Sequence, residues 1–309
     1  MRLINEWEKH SGTILIWPYD NSVWGWDIQK IQEAVANIAN TITCYEPVYL
    51  LINNNYKHQV ERMVSRSVFL IDSVYDRIWI RDSSPIWCSN NSRLLALNFQ
   101  YADYSDRKSK CLNSELSKFI SDYFGACSID IPLELEGGNI ATNKSVVATC
   151  GKAKSYKTTS IESLKNMLCE LKINNELLVI HDNPLKDKSY HIDNIISFPK
   201  DDTIFLYEGF QESNDEWISL KNKRVYNISH PIVTKAHEAP KRLPISYLNY
   251  YQFNNAVILP QFGYEEYDCQ ALTIFKDVFI NKEIIPINAS DIILGGGGIH
   301  CITKEIPLI

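Results

Sequence analysis

Thr13-Ile14-Leu15-Ile16-Trp17 and Val48-Tyr49-Leu50-Leu51-Ile52 bracket the stretch that sets the architecture of this chain. Both are short apolar runs of strand length, the pattern of strands buried on two faces. Between them Ile28, Ile31, Val35, Ile38 and Ile42 recur at alternating steps of three and four and line one face of a helix. The segment is a strand, helix, strand unit.

Four further units of the same kind follow. Pro85–Phe99 leads through a helix near Ser114–Tyr123 to Ser128–Ile131. Ser145–Thr149 leads into a helix opened by a capping box, Thr159-x-x-Glu162, with Ile161, Leu164, Leu168 and Leu171 aligned, and then to Leu177–Ile180. Thr203–Tyr207 enters a second box, Ser213-x-x-Glu216, and leaves through Arg224–Ile228; Ala256–Pro260 joins a helix near Tyr264–Phe275 to Val278–Ile287. Units repeating every ~50–70 residues suit pseudo-repeats about an axis, because one unit alone cannot bury its apolar face. An open doubly wound sheet fits the same alternation. Four polar clusters follow the last strand of a unit: Trp79–Pro85, Glu134–Asn139, His191–Asn194 and Gly295–Thr303. In a closed ring such loops meet at one mouth. No Pro/Gly/Ser-rich linker interrupts the chain, so a single domain over 1–309 is expected.

Of the 309 residues, 45% are apolar, enough for a sizeable core. Lys and Arg number 31 against 37 Asp and Glu, a net charge of -6, which argues against a nucleic-acid binder and permits a cationic substrate. The opening Met1-Arg2-Leu3-Ile4-Asn5-Glu6-Trp7-Glu8 lacks the unbroken apolar stretch of a signal peptide, and no segment reaches the ~18 apolar residues of a membrane helix. A cytoplasmic protein without membrane contact is expected. The eight cysteines include no C-x-x-C pair, so zinc-ribbon and thioredoxin spacings are absent.

Gly295-Gly296-Gly297-Gly298-Ile299-His300-Cys301-Ile302-Thr303 is the most unusual stretch. Consecutive glycines allow close backbone approach, so N–H groups near Gly296 are candidates for facing a substrate. A phosphate loop would continue into Lys-Ser/Thr and a helix, which this sequence does not. Taken alone, Cys301 reads as a structural thiol. His191-Ile192-Asp193 offers an imidazole and a carboxylate that share one side of an extended segment, and a metal-ligand reading lacks third and fourth ligands at a recognisable spacing. Arg81-Asp82 by itself reads as a salt-bridged loop, and Glu134-x-Glu136-Gly137-Gly138-Asn139 as an acidic turn. Together, Cys301, His191, Asp82, Glu136 and Asp193 suit one chemistry. Carboxylates engage the N–H fork of a planar guanidinium while a thiolate attacks its central carbon.

At these residues the chain resembles the agmatine deiminase and Porphyromonas-type peptidyl-arginine deiminase family of the guanidine-modifying superfamily. The likeness spans six ordered motifs: Glu6-Trp7-Glu8 with Trp17-Pro18, Trp79-x-Arg81-Asp82-x-x-Pro85, Glu136-Gly137-Gly138-Asn139, His191-x-Asp193-Asn194, Ser246-Tyr247-Leu248-Asn249, and the glycine run with Ile299-His300-Cys301-Ile302-Thr303. The resemblance implies a five-bladed, pseudo-symmetric α/β propeller of ββαβ modules. It implies that Asp82 and Asp193 bind the guanidinium, that His191 is general acid and base, that Glu136 orients His191, and that Cys301 is the nucleophile. No metal or organic cofactor is implied.

Agmatine is the substrate this likeness favours, with other guanidines, an amidinotransferase reaction or a silent binding propeller as alternatives. Trp79 is a candidate wall for the aliphatic chain and Asp187 a candidate partner for the distal ammonium; a homo-oligomer is compatible with all of this. Ser83-Ser84 stands where the family commonly has Thr-Gly, Tyr190 where a Gly usually precedes the His, and Asn143-Lys144 where Asp-Gly is usual.

Overall fold

The computed structural model describes residues 1–20, 27–91, 93–101, 111–151, 159–181, 190–210, 222–231, 243 and 245–309. Among these residues the strands form five separate sheets, so one open doubly wound sheet is excluded. The fold is mixed α/β.

A common pattern runs through all five sheets. A central strand pairs antiparallel with one neighbour and parallel with the strand that follows it after a crossover. In the second sheet Arg93–Gln100 lies between Ile86–Asn90 and the parallel Cys127–Glu134, with Arg2–Leu3 added outside. The third orders Ala141–Thr142, Val146–Cys150 and Glu176–Ile180; the fourth Ile196–Lys200, Thr203–Tyr207 and Arg224–Ile228; the fifth Tyr251–Phe253, Ala256–Gln261 and Glu283–Asn288. In the first sheet His10–Ile16 runs parallel to Val48–Ile52, which is parallel to Val68–Asp72. Its antiparallel neighbour is Lys304–Pro307, drawn from the far end of the sequence.

The opening unit folds as its apolar pattern predicts. Thr13, Ile14, Leu15, Ile16 and Trp17 are all at 0% exposure, as expected of a strand covered on both faces. The helix Ile28–Ile42 begins where the Asp27 carboxylate accepts the Gln29 N–H, and buries Ile31, Val35, Ile38 and Ile42. Each such side chain contributes about 2 kcal/mol relative to an exposed position.

Several boundaries differ from expectation. Pro85–Phe99 is a hairpin of two strands turning at Asn91, which takes a φ of 47°. The last long helix runs Glu265–Val278, so Val278 ends a helix and the following strand starts only at Glu283. The third-unit helix, Ile161–Glu170, is capped by Ser160, whose side chain accepts the Ser163 N–H. Thr159 instead turns its hydroxyl to the Glu134 N–H at 2.8 Å. The box at Ser213 and Glu216 lies outside the described residues.

Apolar clusters join neighbouring sheets. One packs Leu95, Leu97 and Ile131 of the second sheet against Val147 and the helix residues Leu164 and Leu168 of the third unit. Another joins Val146, Ala148 and Ile180 to Ile196, Phe198 and Ile204 of the fourth. The largest spans the first and fifth sheets and reaches Trp87 and Ala96 of the second. No helix among the described residues is long and apolar enough to cross a membrane.

Candidate active site

Every group of the site sits on a turn that leaves the last strand of one sheet for the first strand of the next. Asp82 lies in the short helix Ile80–Ser83 after Val68–Asp72, and Glu136 opens the 3-10 turn Gly137–Asn139 after Cys127–Glu134. His191 and Asp193 flank and occupy the 3-10 turn Ile192–Asn194. Asn249 precedes Tyr251–Phe253, and Cys301 precedes Lys304–Pro307.

Three of these turns meet at Gly138. Its N–H donates to Asp82 Oδ1 at 3.0 Å. A Cβ on this glycine would lie 2.7 Å from both Asp82 Oδ1 and His191 Nδ1 and 3.3 Å from Asp193 Oδ2, so three functional side chains press on one backbone position. His191 Nδ1 and Asp82 Oδ1 are 3.6 Å apart. The Cys301 thiol donates to Asp193 Oδ2 at 3.7 Å. Asn249 Nδ2 reaches Cys301 Sγ at 3.4 Å, Asp193 Oδ2 at 3.3 Å and Asn194 Oδ1 at 3.1 Å. Its Oδ1 accepts the His300 N–H at 3.0 Å.

All of these side chains are buried, Glu136 completely. His191 and Asp193 converge, though not from an extended segment: only His191 is extended, and the 3-10 turn after it sends Ile192 into the core while Asp193 returns to the site. Trp79 is half-buried, and a Cβ on Gly297 would lie 2.6 Å from its ring, placing the indole against the turn that carries Cys301. A side chain at Gly296 would meet nothing within 4 Å; its glycine answers to a φ of 97° rather than to proximity. Gly298 is the glycine held by proximity, since its Cβ would fall 2.3 Å from Asn249 Oδ1. Asp187 lies outside the described residues.

The electrostatics favour protonated forms. Burial pushes the Asp82 carboxyl up, and Asp193 adds to this against the opposing pull of His191 and the Gly138 N–H. Burial likewise holds the Cys301 thiol well above the ordinary range, with Asp193 and Asp82 reinforcing it and Gly298 and Asn249 opposing.

Behind the thiol runs a line of charges that the sequence reading left without roles. His300 Nδ1 is 2.9 Å from Asp193 Oδ2, and its Nε2 is 3.0 Å from both oxygens of Glu6. Arg81 Nη1 donates to Glu6 at 2.9 Å and to Glu305 at 2.8 Å, and Lys304 Nζ donates to Glu305 at 2.7 Å. Arg81 is thus salt-bridged as its sequence suggests, but as a buried side chain on a helical turn rather than in a loop. Glu6 and His300 border a small open pocket that Thr142, Asp193, Ser197 and Gln252 also line. Asn249, His300, Glu6 and Arg81 all lie inside the quoted motifs, which was the one signal in the sequence that could have found them.

A buried thiol beside one of two carboxylates that meet an imidazole, on turns between repeated β-β-crossover-β sheets, defines a class of cysteine-bearing α/β protein. The chain belongs to the Porphyromonas-type peptidyl-arginine deiminase family, whose model it matches over residues 2–307. A Legionella pneumophila protein provisionally named agmatine deiminase is 28% identical, with 98% of this chain and 93% of that protein aligned. One of the same provisional name from Mycoplasma mycoides is 26% identical over 98% and 94%. The structure of the agmatine deiminase of Enterococcus faecalis superimposes with a TM-score of 0.85 at 18% identity, covering 99% of this chain and 95% of that one. DDAH from Pseudomonas aeruginosa, complexed with citrulline, gives 0.60 at 14% identity over 96% and 100%.

Proposed function

We propose that this chain is a deiminase that hydrolyses agmatine to N-carbamoylputrescine and ammonia, with Cys301 as nucleophile. The observation that carries the reading is the contact of the Cys301 thiol with Asp193, a carboxylate that meets Asp82 and His191 around Gly138. The names of the relatives favour agmatine over other guanidines. In this reading the five sheets are the blades of a single-domain α/β propeller whose inter-blade turns meet at the site, and the enzyme is cytoplasmic and needs no cofactor.

Asp82 and Asp193 take the guanidinium N–H groups, and the arriving cation offsets the negative field that keeps the thiol protonated. The thiol proton passes to His191 as sulfur bonds to the guanidinium carbon. The C–N bond then breaks, His191 protonates the departing ammonia, and a thiouronium remains on Cys301. Water attacks that carbon with His191 as base, the C–S bond breaks, and the ureido product leaves with the thiol restored. Glu136 stabilises the His191 imidazolium. Trp79 and the Gly296 backbone line the entry for the aliphatic chain, and Asp187 receives the distal ammonium.

Ammonia release from agmatine, free arginine and C-terminal arginyl peptides, measured with chelator present, tests the reading. Agmatine is expected to be the preferred substrate, with Cys301→Ala lowering turnover by about a thousandfold or more. Activity on arginine alone would overturn the choice of agmatine. Cys301→Ala turnover equal to the parent's would overturn the nucleophile.

A further inference from the structure

We propose that His300 is a positioning residue: as an imidazolium clamped between Glu6 and Asp193, it fixes Asp193 Oδ2 beside the Cys301 sulfur. The inference rests on the deiminase reading for its catalytic consequence, but its structural half stands apart from any substrate.

Both ring nitrogens of His300 face carboxylates, Asp193 Oδ2 at 2.9 Å and the Glu6 oxygens at 3.0 Å. Ionised carboxylates only accept hydrogen bonds, so a neutral imidazole would direct a lone pair at one of them; two N–H donors satisfy both. The ring is buried, which makes the unsatisfied alternative more costly. Arg81 is the cation facing this pair, and Arg81, Glu305 and Lys304 continue the sequence of charges. Asp193, His300, Glu6, Arg81, Glu305 and Lys304 thus alternate in sign from the thiol inward. Burial and Arg81 work against the imidazolium, but Glu6 and Asp193 outweigh them and hold His300 above the ordinary histidine range.

The same residue fixes the nucleophile through its backbone. The His300 N–H donates to Asn249 Oδ1 at 3.0 Å, its carbonyl accepts from Arg81 Nε at 3.4 Å, and the neighbouring Cys301 carbonyl accepts the Arg81 N–H at 3.1 Å. One turn therefore sets both the attacking sulfur and the orientation of a carboxylate proposed to bind its target. A residue that only anchored Lys304–Pro307 would need no cation against Asp193.

The experiment has an arm without substrate. NMR of the intact protein labelled with 15N-histidine should show the two His300 ring nitrogens in the protonated range at pH 7.5, and His300 in Glu6→Gln should deprotonate at lower pH than in the parent. A neutral His300 ring at pH 7.5 overturns the proposal whether or not any guanidine is turned over. The second arm uses His300→Gln. Loss of the clamp frees Asp193 to turn away from the thiol, so KM for agmatine should rise about tenfold with a smaller change in kcat. A fall in melting temperature with KM unmoved would mark His300 as merely structural and overturn the proposal. Absence of guanidine hydrolysis by the parent, with an imidazolium present, would instead count against the deiminase reading and leave the clamp supported.

Discussion

Tyr190, the residue before the proposed catalytic histidine, has a φ of 55°, a left-handed backbone that strains any residue with a Cβ by about 1–2 kcal/mol. Its half-buried ring packs against the apolar cluster around Ile192 and Ile196. Two substitutions separate strain from packing. Tyr190→Ala loses the ring contacts and keeps the strain, while Tyr190→Gly loses the contacts and relieves it. The glycine variant should therefore be the more stable of the two by about 1 kcal/mol in urea denaturation; equal midpoints would show that the backbone here is not strained. Cys301, His191 and the carboxylates of the proposed site could be singled out in the sequence because few side chains can do such chemistry and each stood in a motif. Asn249 and His300 were not, because an amide and a second histidine acquire meaning only from what faces them. The glycine run was legible as a run, yet its members answer to different demands: conformation at Gly296, the Trp79 ring at Gly297, the Asn249 amide at Gly298.

Among the described elements, long helices were read well, and short helices such as Lys57–Met63 and short strands poorly. Ile28–Ile42 carries four turns of apolar period, whereas Ala141–Thr142 and Tyr251–Phe253 are too brief to display any alternation and exist because a neighbouring strand holds them. The cap at Ser160 illustrates the limit of pattern. Thr159 and Ser160 are both good capping residues, and only the demand of the Glu134 N–H, which engages Thr159, assigns the cap to its neighbour. Ser160→Ala should lower stability by about 1 kcal/mol. An unchanged denaturation midpoint would return the capping role to Thr159.

For the whole molecule, sequence could suggest five units but not how they close, since the pairing of Lys304–Pro307 with His10–Ile16 joins segments with no local signal between them. Its acid stability should depend on His230, which lies between the fourth and fifth sheets. Burial pushes this imidazole down to about 3, its Nε2 accepts the Tyr247 N–H at 3.0 Å, and it stacks on Tyr207. Its folded value lies below the unfolded value of about 6.5, so the unfolded chain takes up a proton that the folded one refuses, and stability falls as pH drops from about 6.5 toward 3. In urea titrations from pH 7 to pH 4, His230→Gln should lose less stability than the parent, by about one proton's worth of slope; parallel curves would exclude this histidine as the cause.

The placement of the candidate site groups on separate turns between sheets has a consequence for local opening. The Cys301 sulfur is shut in by Asp193 and Asn249, which belong to different turns, and those turns rest on different sheets. Parting of the sheets that carry those turns would uncover it. The labelling rate of this thiol by a small neutral reagent is thus a weakest-link gauge, reporting the lowest free energy at which those sheets part rather than the stability of the turn that carries the cysteine.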